Sequence, residues 1–265
     1  MRCYTNPIMI AKESDQKVAK TKKSDFKLRP EEMLRAGLQF GHRTSRAHPK
    51  MREFLQGVRN NVHIIDIEKT AEKLKQTLAF IQELISDNKV ILFVGTKVQV
   101  KDLVEEIALA CKMPYVTDRW LGGTFTNFEI IKKRIEYFKD LQKKKEDGEL
   151  EKYTKKEKAK IEREIAGLAR KFEGMRDLTK FPDAIFVIDM KKDALAIKEA
   201  RQKNIKVIAI ADTDVDPDLA DCFIPANDDA ISSVTYILEK VKEVILNTKP
   251  KAAAKEEKEE EEKDK

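Results

Sequence analysis

The stretch 90–118 reads VILFVGTKVQVKDLVEEIALACKMPYVTD, and it decides the fold because it contains a strand, a helix and a second strand. VILFVG (90–95) is a short, continuous apolar run of the kind typical of a buried strand. VQVKDLVEEIALACK has the apolar spacing of an amphipathic helix, and PYVTD (114–118) predicts a shorter strand. A strand–helix–strand unit is the repeating unit of α/β folds.

The same alternation extends to both sides of this unit. Before it, VHIID (62–66) predicts a strand and EKTAEKLKQTLAFIQELI a helix. After it, DAIFVID (183–189), KVIAIAD (206–212) and CFIP predict strands, and KKDALAIKEARQKN and DDAISSVTYILEKVKEVIL predict helices. Apolar strands that alternate with helices indicate a parallel sheet covered on both faces, with right-handed crossovers. The predicted fold class is therefore α/β.

The stretch 126–178 interrupts this alternation with two helical segments. Thr126 and Glu129 match a capping box at the start of the first segment, and Thr154 and Glu157 match one at the start of the second. Apolar residues recur at steps of three and four in both segments, which is the spacing of a helix–helix seam. We therefore predict an inserted antiparallel coiled-coil hairpin, whose arms of roughly 20 residues would each extend about 30 Å.

The two ends of the chain differ from its middle. Residues 1–29 are Lys-rich without periodicity and predict a flexible basic arm, and residues 247–265 are of low complexity and predict a disordered charged tail. Between them, PEEMLRAGLQF predicts a short helix opened by Pro30, and GHRTSRAHPKMR predicts an irregular basic loop. The predicted globular domain then comprises 30–125 and 179–246, with the helical hairpin as an insertion.

Positive charge is concentrated in two parts of the chain. Of the formal net charge of +6, residues 1–30 contribute +5 and residues 131–180 contribute +6, whereas residues 181–246 contribute −5. Such asymmetry favours a polyanionic partner, with nucleic acid as the first candidate. The alternative is a solvated helical face on which the charges pair with each other.

The cysteines and the hydropathy pattern indicate the compartment. Cys3, Cys111 and Cys222 are far apart and form no C-x-x-C pair, so we expect a reducing compartment without a metal site or disulfides. No apolar run approaches the roughly 18 residues that span a bilayer. The first residues lack the apolar segment of a signal peptide and carry acids early. These features predict a soluble intracellular protein without a membrane partner.

Enzyme motifs can be tested at the ends of the predicted strands, where open parallel sheets bind ligands. Gly95, Gly122 and Gly123 keep neither the spacing of G-x-G-x-x-G nor that of G-x-x-x-x-G-K-[ST]. We interpret the glycine pair as a tight turn into the hairpin. VIAIADTDVD is similar to aspartyl-phosphate hydrolases, in which Asp212 would attack phosphorus and Asp214 would transfer a proton.

Two hypotheses from other classes remain beside nucleic-acid binding. The phosphohydrolase is one alternative, although its motif lies on the last long strand and DVDPD is also typical of a turn. The second is a protein-binding module that uses the helical seams without RNA. His42, His48 and His63 do not have the spacing of metal ligands, so they do not support a hypothesis of metal binding.

A series of motifs follows in an order and spacing that is specific to one family. The motifs are GLQFGHRTSRAHPKM, VHIIDIEKT, ILFVGTK, RWLGGTFTN, PDAIFVID, AIKEA and DPDLADCFIPANDDAI. Over about residues 31–246, the chain resembles the bacterial family of small-subunit ribosomal protein S-two.

This resemblance implies both a fold and a function. The fold would be a flavodoxin- or Rossmann-like parallel sheet with a protruding coiled-coil hairpin, without enzymatic activity, cofactor or small-molecule substrate. The protein would be a structural constituent of the small subunit of the cytoplasmic ribosome. It would bind small-subunit ribosomal RNA and neighbouring ribosomal proteins, support subunit assembly and translation, and take part in recruiting ribosomal protein S-one.

The resemblance also suggests where RNA would bind. Ala47 stands where the family usually has an aromatic residue, so we expect Arg43, Arg46 and His48 to supply phosphate contacts in place of stacking. Lysines and arginines of the arm, the basic loop and the hairpin would neutralise further phosphates. The predicted RNA-binding residues are His42, Arg43, Thr44, Arg46, His48, Lys50, Arg52, Arg119, Trp120, Asn127, Lys132, Lys133 and Arg134.

Overall fold

The fold is known from a computed structural model of the chain. The residues that it describes are 26, 28–148, 152 and 154–248. Nearly all of the predicted arm 1–29 and of the predicted tail 247–265 lies outside these described residues. Within them, no helix is long and apolar enough to cross a membrane.

The described residues form seven α-helices and eight strands. The helices are α1 (Pro30–Ala36), α2 (Ile67–Ser86), α3 (Lys101–Ala110), α4 (Phe128–Glu146), α5 (Lys155–Phe172), α6 (Ala194–Gln202) and α7 (Ile231–Asn247). The strands are β1 (Phe40–Arg43), β2 (Leu55–Arg59), β3 (Val62–Ile65), β4 (Ile91–Val94), β5 (Tyr115–Val116), β6 (Ala184–Val187), β7 (Lys206–Ala211) and β8 (Cys222–Pro225). The short helix predicted to open at Pro30 is confirmed.

Five strands form a parallel sheet in the order β5-β4-β6-β7-β8. Counted along the chain within this sheet, the order is 2-1-3-4-5, which is the flavodoxin-like order. Strands β4 and β6 are buried at every position, because helices cover both faces of the sheet. The predicted α/β class and its flavodoxin-like parallel sheet are confirmed.

The sheet separates two apolar cores. Alternation along β4 directs Ile91 and Phe93 into one core, and Leu92 and Val94 into the other. The first core takes the buried faces of α1, α2, α3 and α7. The second takes α6 together with the buried residues of α4 and α5, so these two helices share the core of α6.

A second sheet is antiparallel and has the order β1-β3-β2. Two predictions from the sequence are wrong in this part of the chain. The strand predicted at 62–66 belongs to this sheet and not to the parallel one. The loop predicted at 41–52 begins as β1 and continues in two 3₁₀ turns. The cause is the hairpin between β2 and β3, in which Asn60 and Asn61 have φ of 51° and 60°. Two positive φ values define a tight hairpin turn that pairs its flanking strands.

Helices α4 and α5 occupy most of the predicted insertion 126–178. They contain 19 and 18 residues, so each extends about 28 Å. Tyr137 of α4 donates its hydroxyl hydrogen to Glu164 of α5 at 3.1 Å. The buried residues of the predicted seams are Phe128, Ile135, Phe138, Leu141, Ile165, Phe172 and Met175. That the two helices project as an antiparallel coiled coil stays a prediction, as does the division of the chain into domains.

Candidate functional site

The carboxyl ends of the parallel strands lie along one edge of the sheet, which we call the carboxyl edge. In flavodoxin-like folds, ligands bind there in the crevice between the first and third strands, which are β4 and β6 in this chain. The loops after these strands are tied together: Thr96 donates its hydroxyl hydrogen to Asp193 at 2.9 Å, and Lys192 Nζ donates to the Thr96 carbonyl at 2.8 Å. The crevice is therefore bridged by the protein's own side chains.

Lys97 places its ammonium group at this crevice. Its Nζ lies 2.6 Å from Asp229 Oδ1, 3.1 Å from Asp228 Oδ1 and 3.3 Å from Asp189 Oδ2. Burial lowers the pKa of Lys97, but the three carboxylates raise it more, so this pKa lies above its ordinary value. Burial, reinforced by the charges of Asp189 and Asp212, raises the pKa of Asp228 to about 7. The crevice thus contains a charge network in which Lys97 faces three aspartates of the same chain.

The start of the basic loop adds a second cation to this network. His42 Nδ1 lies 3.0 Å from Asp212 Oδ2, and His42 Nε2 lies 3.5 Å from Asp229 Oδ2. The adjacent Asp212 carboxylate raises the pKa of His42 to about 9, although burial acts in the opposite direction. His42 is consequently a cation at neutral pH, and it neutralises carboxylates of the carboxyl edge.

Backbone contacts hold the same loop against the end of β7. The N–H of His42 donates to Thr213 Oγ1 at 2.9 Å, and the N–H of His48 donates to the Thr213 carbonyl at 2.7 Å. A Cβ atom on Gly41 would lie 2.4 Å from Thr213 Cγ2, which is closer than two carbon atoms can approach. A side chain at position 41 would therefore force Thr213 or the loop to shift.

Asp212 and Asp214 are not placed as the nucleophile and proton donor of a phosphohydrolase. The side chain of Asp212 is only 1% exposed and faces His42. Asp214 is also buried, and its carboxylate lies 2.6 Å from Lys191 Nζ. Both carboxylates are therefore directed at cations of the same chain, as expected for a turn that is held by ion pairs.

The turn 119–127, which contains RWLGG, surrounds a buried carboxylate. Glu199 of α6 accepts hydrogen bonds from the N–H of Gly123 at 2.8 Å, Phe125 at 2.9 Å and Thr126 at 3.3 Å. The glycine has a φ of 95°, which is the tight turn predicted for the glycine pair. Successive N–H groups that converge on one anion resemble the phosphate sites of nucleotide enzymes. In this chain the anion is the protein's own Glu199.

The capping box predicted from Thr126 and Glu129 is wrong. Helix α4 follows Asn127, whose side chain makes no capping hydrogen bond. The Thr126 hydroxyl lies 3.4 Å from the Glu199 carboxylate, so this buried anion takes the place of the predicted partner. The capping box of Thr154 and Glu157 at the start of α5 is confirmed.

Three predicted RNA-binding side chains contact other side chains of the same chain. His42 belongs to the charge network described above. Lys50 Nζ lies 2.8 Å from Asp216 Oδ2, because the basic loop is docked beside that turn. Trp120 is 6% exposed, and its ring packs edge-on against Phe125 with 5.0 Å between centroids. That these three residues bind RNA stays a prediction.

The other ten predicted residues lie at the surface in two groups. The loop group lies on β1 and the turns after it, and it comprises Arg43, Thr44, Arg46, His48 and Arg52. The turn group lies at the start of α4 and before it, and it comprises Arg119, Asn127, Lys132, Lys133 and Arg134. His48 and Lys132 are half-buried and the rest are exposed. Within the part of the chain that the structure describes, no arginine or lysine of either group makes an ion pair.

Two residues that organise these loops, Lys97 and Glu199, are absent from the predicted site. Both lie in the motifs ILFVGTK and AIKEA, so the sequence does contain a signal at their positions. A charged residue in a helix or after a strand is usually solvated, however. Only the tertiary structure shows that these two charges are directed inwards.

The fold and this edge together define a flavodoxin-like α/β protein whose ligand crevice is bridged by the chain's own ion pairs. Residues 33–248 match the family model described as Ribosomal protein S2. The chain is 42% identical over 216 residues to "Small ribosomal subunit protein uS2" of Borrelia duttonii and of Borrelia recurrentis, covering 82% of this chain and 85% of each relative. It is 44% identical over 218 residues to the protein of the same name from Dictyoglomus thermophilum, covering 82% and 89%. The chain therefore belongs to the ribosomal protein S2 family.

Membership of this family settles the class of function. The chain is a protein of the small ribosomal subunit and takes part in translation. It is a structural component and not an enzyme, so the phosphohydrolase hypothesis is excluded.

Proposed function

We propose that the chain binds small-subunit ribosomal RNA through the loop group and the turn group. The observation that supports this most directly is which cations make ion pairs within the chain and which do not. Those at the carboxyl edge, Lys97, His42, Lys191 and Lys50, face aspartates of the same chain. Those of the two groups make no ion pair within the described residues, and such cations are free to neutralise phosphates and release counterions.

Helices α4 and α5 extend this basic surface. Residues 131–180 contribute +6 to the net charge, and Lys143, Lys144 and Lys145 are exposed in the last turn of α4. Since each helix extends about 28 Å, phosphate contacts are spread over a long distance. Folded RNA is recognised mainly through its shape and backbone, so this surface should bind without reading a base sequence.

The same proposal includes partners and location. Contacts with neighbouring small-subunit proteins and a role in subunit assembly are supported by the family of the chain. Recruitment of ribosomal protein S-one is supported by the resemblance alone. We place the protein in the cytoplasm, on the ribosome.

The test is the salt dependence of binding to full-length small-subunit ribosomal RNA, measured by filter retention. For each phosphate contact, the slope of log K against log salt contributes roughly −0.9. Replacing Arg119, Lys133 and Arg134 by alanine should therefore reduce the steepness of the slope by about 2 to 3.

A matched triple variant controls for net charge. Lys75, Lys101 and Lys203 are also exposed and make no ion pair within the described residues, but they lie outside both groups. Their replacement by alanine should leave the slope nearly unchanged. Binding that does not respond to salt, or equal effects of the two triple variants, would refute the proposal.

A further inference from the structure

One face of the antiparallel sheet carries an exposed aromatic ring beside open space. Phe40 and Gly57 both pair with Ile64, and residues that pair across antiparallel strands point to the same face. Phe40 is 48% exposed. A Cβ atom on Gly57 would meet no atom within 4 Å. This face therefore has an exposed ring on β1 and open space at Gly57 on β2.

Two arginines lie on this same face. Arg43 and Arg59 both pair with Val62, which is two residues before Ile64 on β3 and so shares its face. Phe40 and Arg43 are three residues apart, but the irregular register between them brings both to one face. We call this face the platform, and it comprises Phe40, Arg43, Gly57, Arg59, Val62 and Ile64.

The charge around the platform favours a nucleic acid over a protein as its partner. Residues 40–65 contain five basic residues and a single acid, Glu53. Neither Arg43 nor Arg59 makes an ion pair with a residue that the structure describes. Their strands flank β3, so their backbones are separated by roughly 10 Å. An exposed ring that shares a sheet face with two guanidinium groups is the combination that binds unstacked bases and their phosphates.

We propose that the platform binds one unpaired nucleotide of ribosomal RNA. Phe40 stacks on the base, and Arg43 and Arg59 contact the phosphates on either side of it. This inference rests on the proposed RNA binding, and it adds a base contact to a surface that otherwise reads only the backbone. Five of its residues belong to neither group described above: Phe40, Gly57, Arg59, Val62 and Ile64.

The first experiment distinguishes binding to a base from binding to the phosphate backbone. The probes are a ten-nucleotide oligouridylate and the same strand without bases, each measured by fluorescence anisotropy with the full chain. Phe40→Ala should weaken oligouridylate binding roughly 5- to 150-fold, the range found for loss of one stacked base, and should leave the abasic strand unaffected. Replacing both Arg43 and Arg59 by alanine should weaken both probes and reduce the salt slope by about 1.4.

The second experiment changes the platform without removing a contact. Because a side chain at position 57 meets open space, Gly57→Glu and Gly57→Gln should fold alike, which circular dichroism checks. Gly57→Glu places a negative charge beside Arg59 and should weaken oligouridylate binding roughly 2- to 10-fold at low salt. The uncharged Gly57→Gln should remain within about twofold of the original chain.

The outcomes separate this inference from the proposed function. Loss of discrimination between the two probes in Phe40→Ala supports the platform. Equal loss on both probes, or no loss, overturns it. The inference is also overturned if Phe40→Ala binds oligouridylate normally but enters depleted subunits poorly, because the platform would then contact a protein. If the unaltered chain binds full-length ribosomal RNA without salt dependence, the proposed function itself fails.

Discussion

Glu199→Gln tests whether a buried carboxylate holds the turn that leads into α4. Glu199 is 4% exposed and accepts hydrogen bonds from the N–H groups of Gly123, Phe125 and Thr126. None of the cations that the structure describes pairs with it. Glutamine has nearly the same shape as glutamate, so the substitution replaces one acceptor by a donor and leaves the packing unchanged.

The size of the effect follows from the three donors. The best orientation of the introduced side-chain amide keeps its oxygen towards Phe125 and Thr126, and it leaves the N–H of Gly123 facing an NH₂ group. An unsatisfied buried donor costs about 1 to 3 kcal/mol. The two remaining hydrogen bonds lose the assistance of the charge, which weakens them together by about 1 kcal/mol. We expect unfolding free energy to fall by about 2 to 4 kcal/mol, out of a typical 5 to 15 kcal/mol.

Urea unfolding of the full chain, followed by circular dichroism, measures this loss. Glu239→Gln is the matched control, because Glu239 is exposed on α7 and the chemical change is the same. Its unfolding free energy should stay within about 0.5 kcal/mol of that of the unaltered chain. If Glu199→Gln unfolds at the same urea concentration as Glu239→Gln, the turn is held by other contacts and the reasoning fails.

Three further predictions concern stability. The pKa of His42 is raised from 6.5 to about 9. Its contribution to the free energy of unfolding is therefore complete below about pH 6.5 and is lost as the pH rises through 9. Urea unfolding should show a decline on the order of 2 kcal/mol across this range, and a decline of equal size in His42→Gln would contradict the assignment. Gly41→Ala should cost about 1 to 3 kcal/mol by thermal unfolding, and less when Thr213→Ser removes the clashing methyl group; additive effects would argue against the clash. Thr154→Ala should cost about 1 kcal/mol of capping energy, seen as faster hydrogen exchange in the first turn of α5; unchanged exchange would contradict it.

The parallel sheet could be predicted because each of its strands is a continuous apolar run. The runs at 90–95, 183–189 and 206–212 contain the buried strands β4, β6 and β7. Their order in the sheet depends on which strands pair, and the pattern of one strand does not contain that information. The antiparallel sheet was not predictable in the same way, since every residue of β2 is at least partly exposed and no apolar alternation marks it.

The site shows a similar limit at the level of single charges. Sequence order and basic character predict Arg43 and Arg46 as surface cations, and both are exposed. The same criteria predict Lys50, which faces Asp216 in the structure, because residues 166 positions apart meet only in the folded chain. Local sequence therefore identifies where positive charge is present. It does not identify which positive charges are already neutralised.

The charge network also shows how the charged side chains at the carboxyl edge of this flavodoxin-like sheet are used. Asp189, Asp212 and Asp228 lie near one another at the carboxyl edge, where burial and the charges of Asp189 and Asp212 raise the pKa of Asp228. Lys97 and His42 face these aspartates, and a buried charge without a partner would be costly. The cations at the crevice are thus paired with aspartates of the same chain. We therefore assign the proposed RNA binding to cations that lie elsewhere, namely the exposed arginines of the loop group and of the platform, which make no ion pair with a residue that the structure describes.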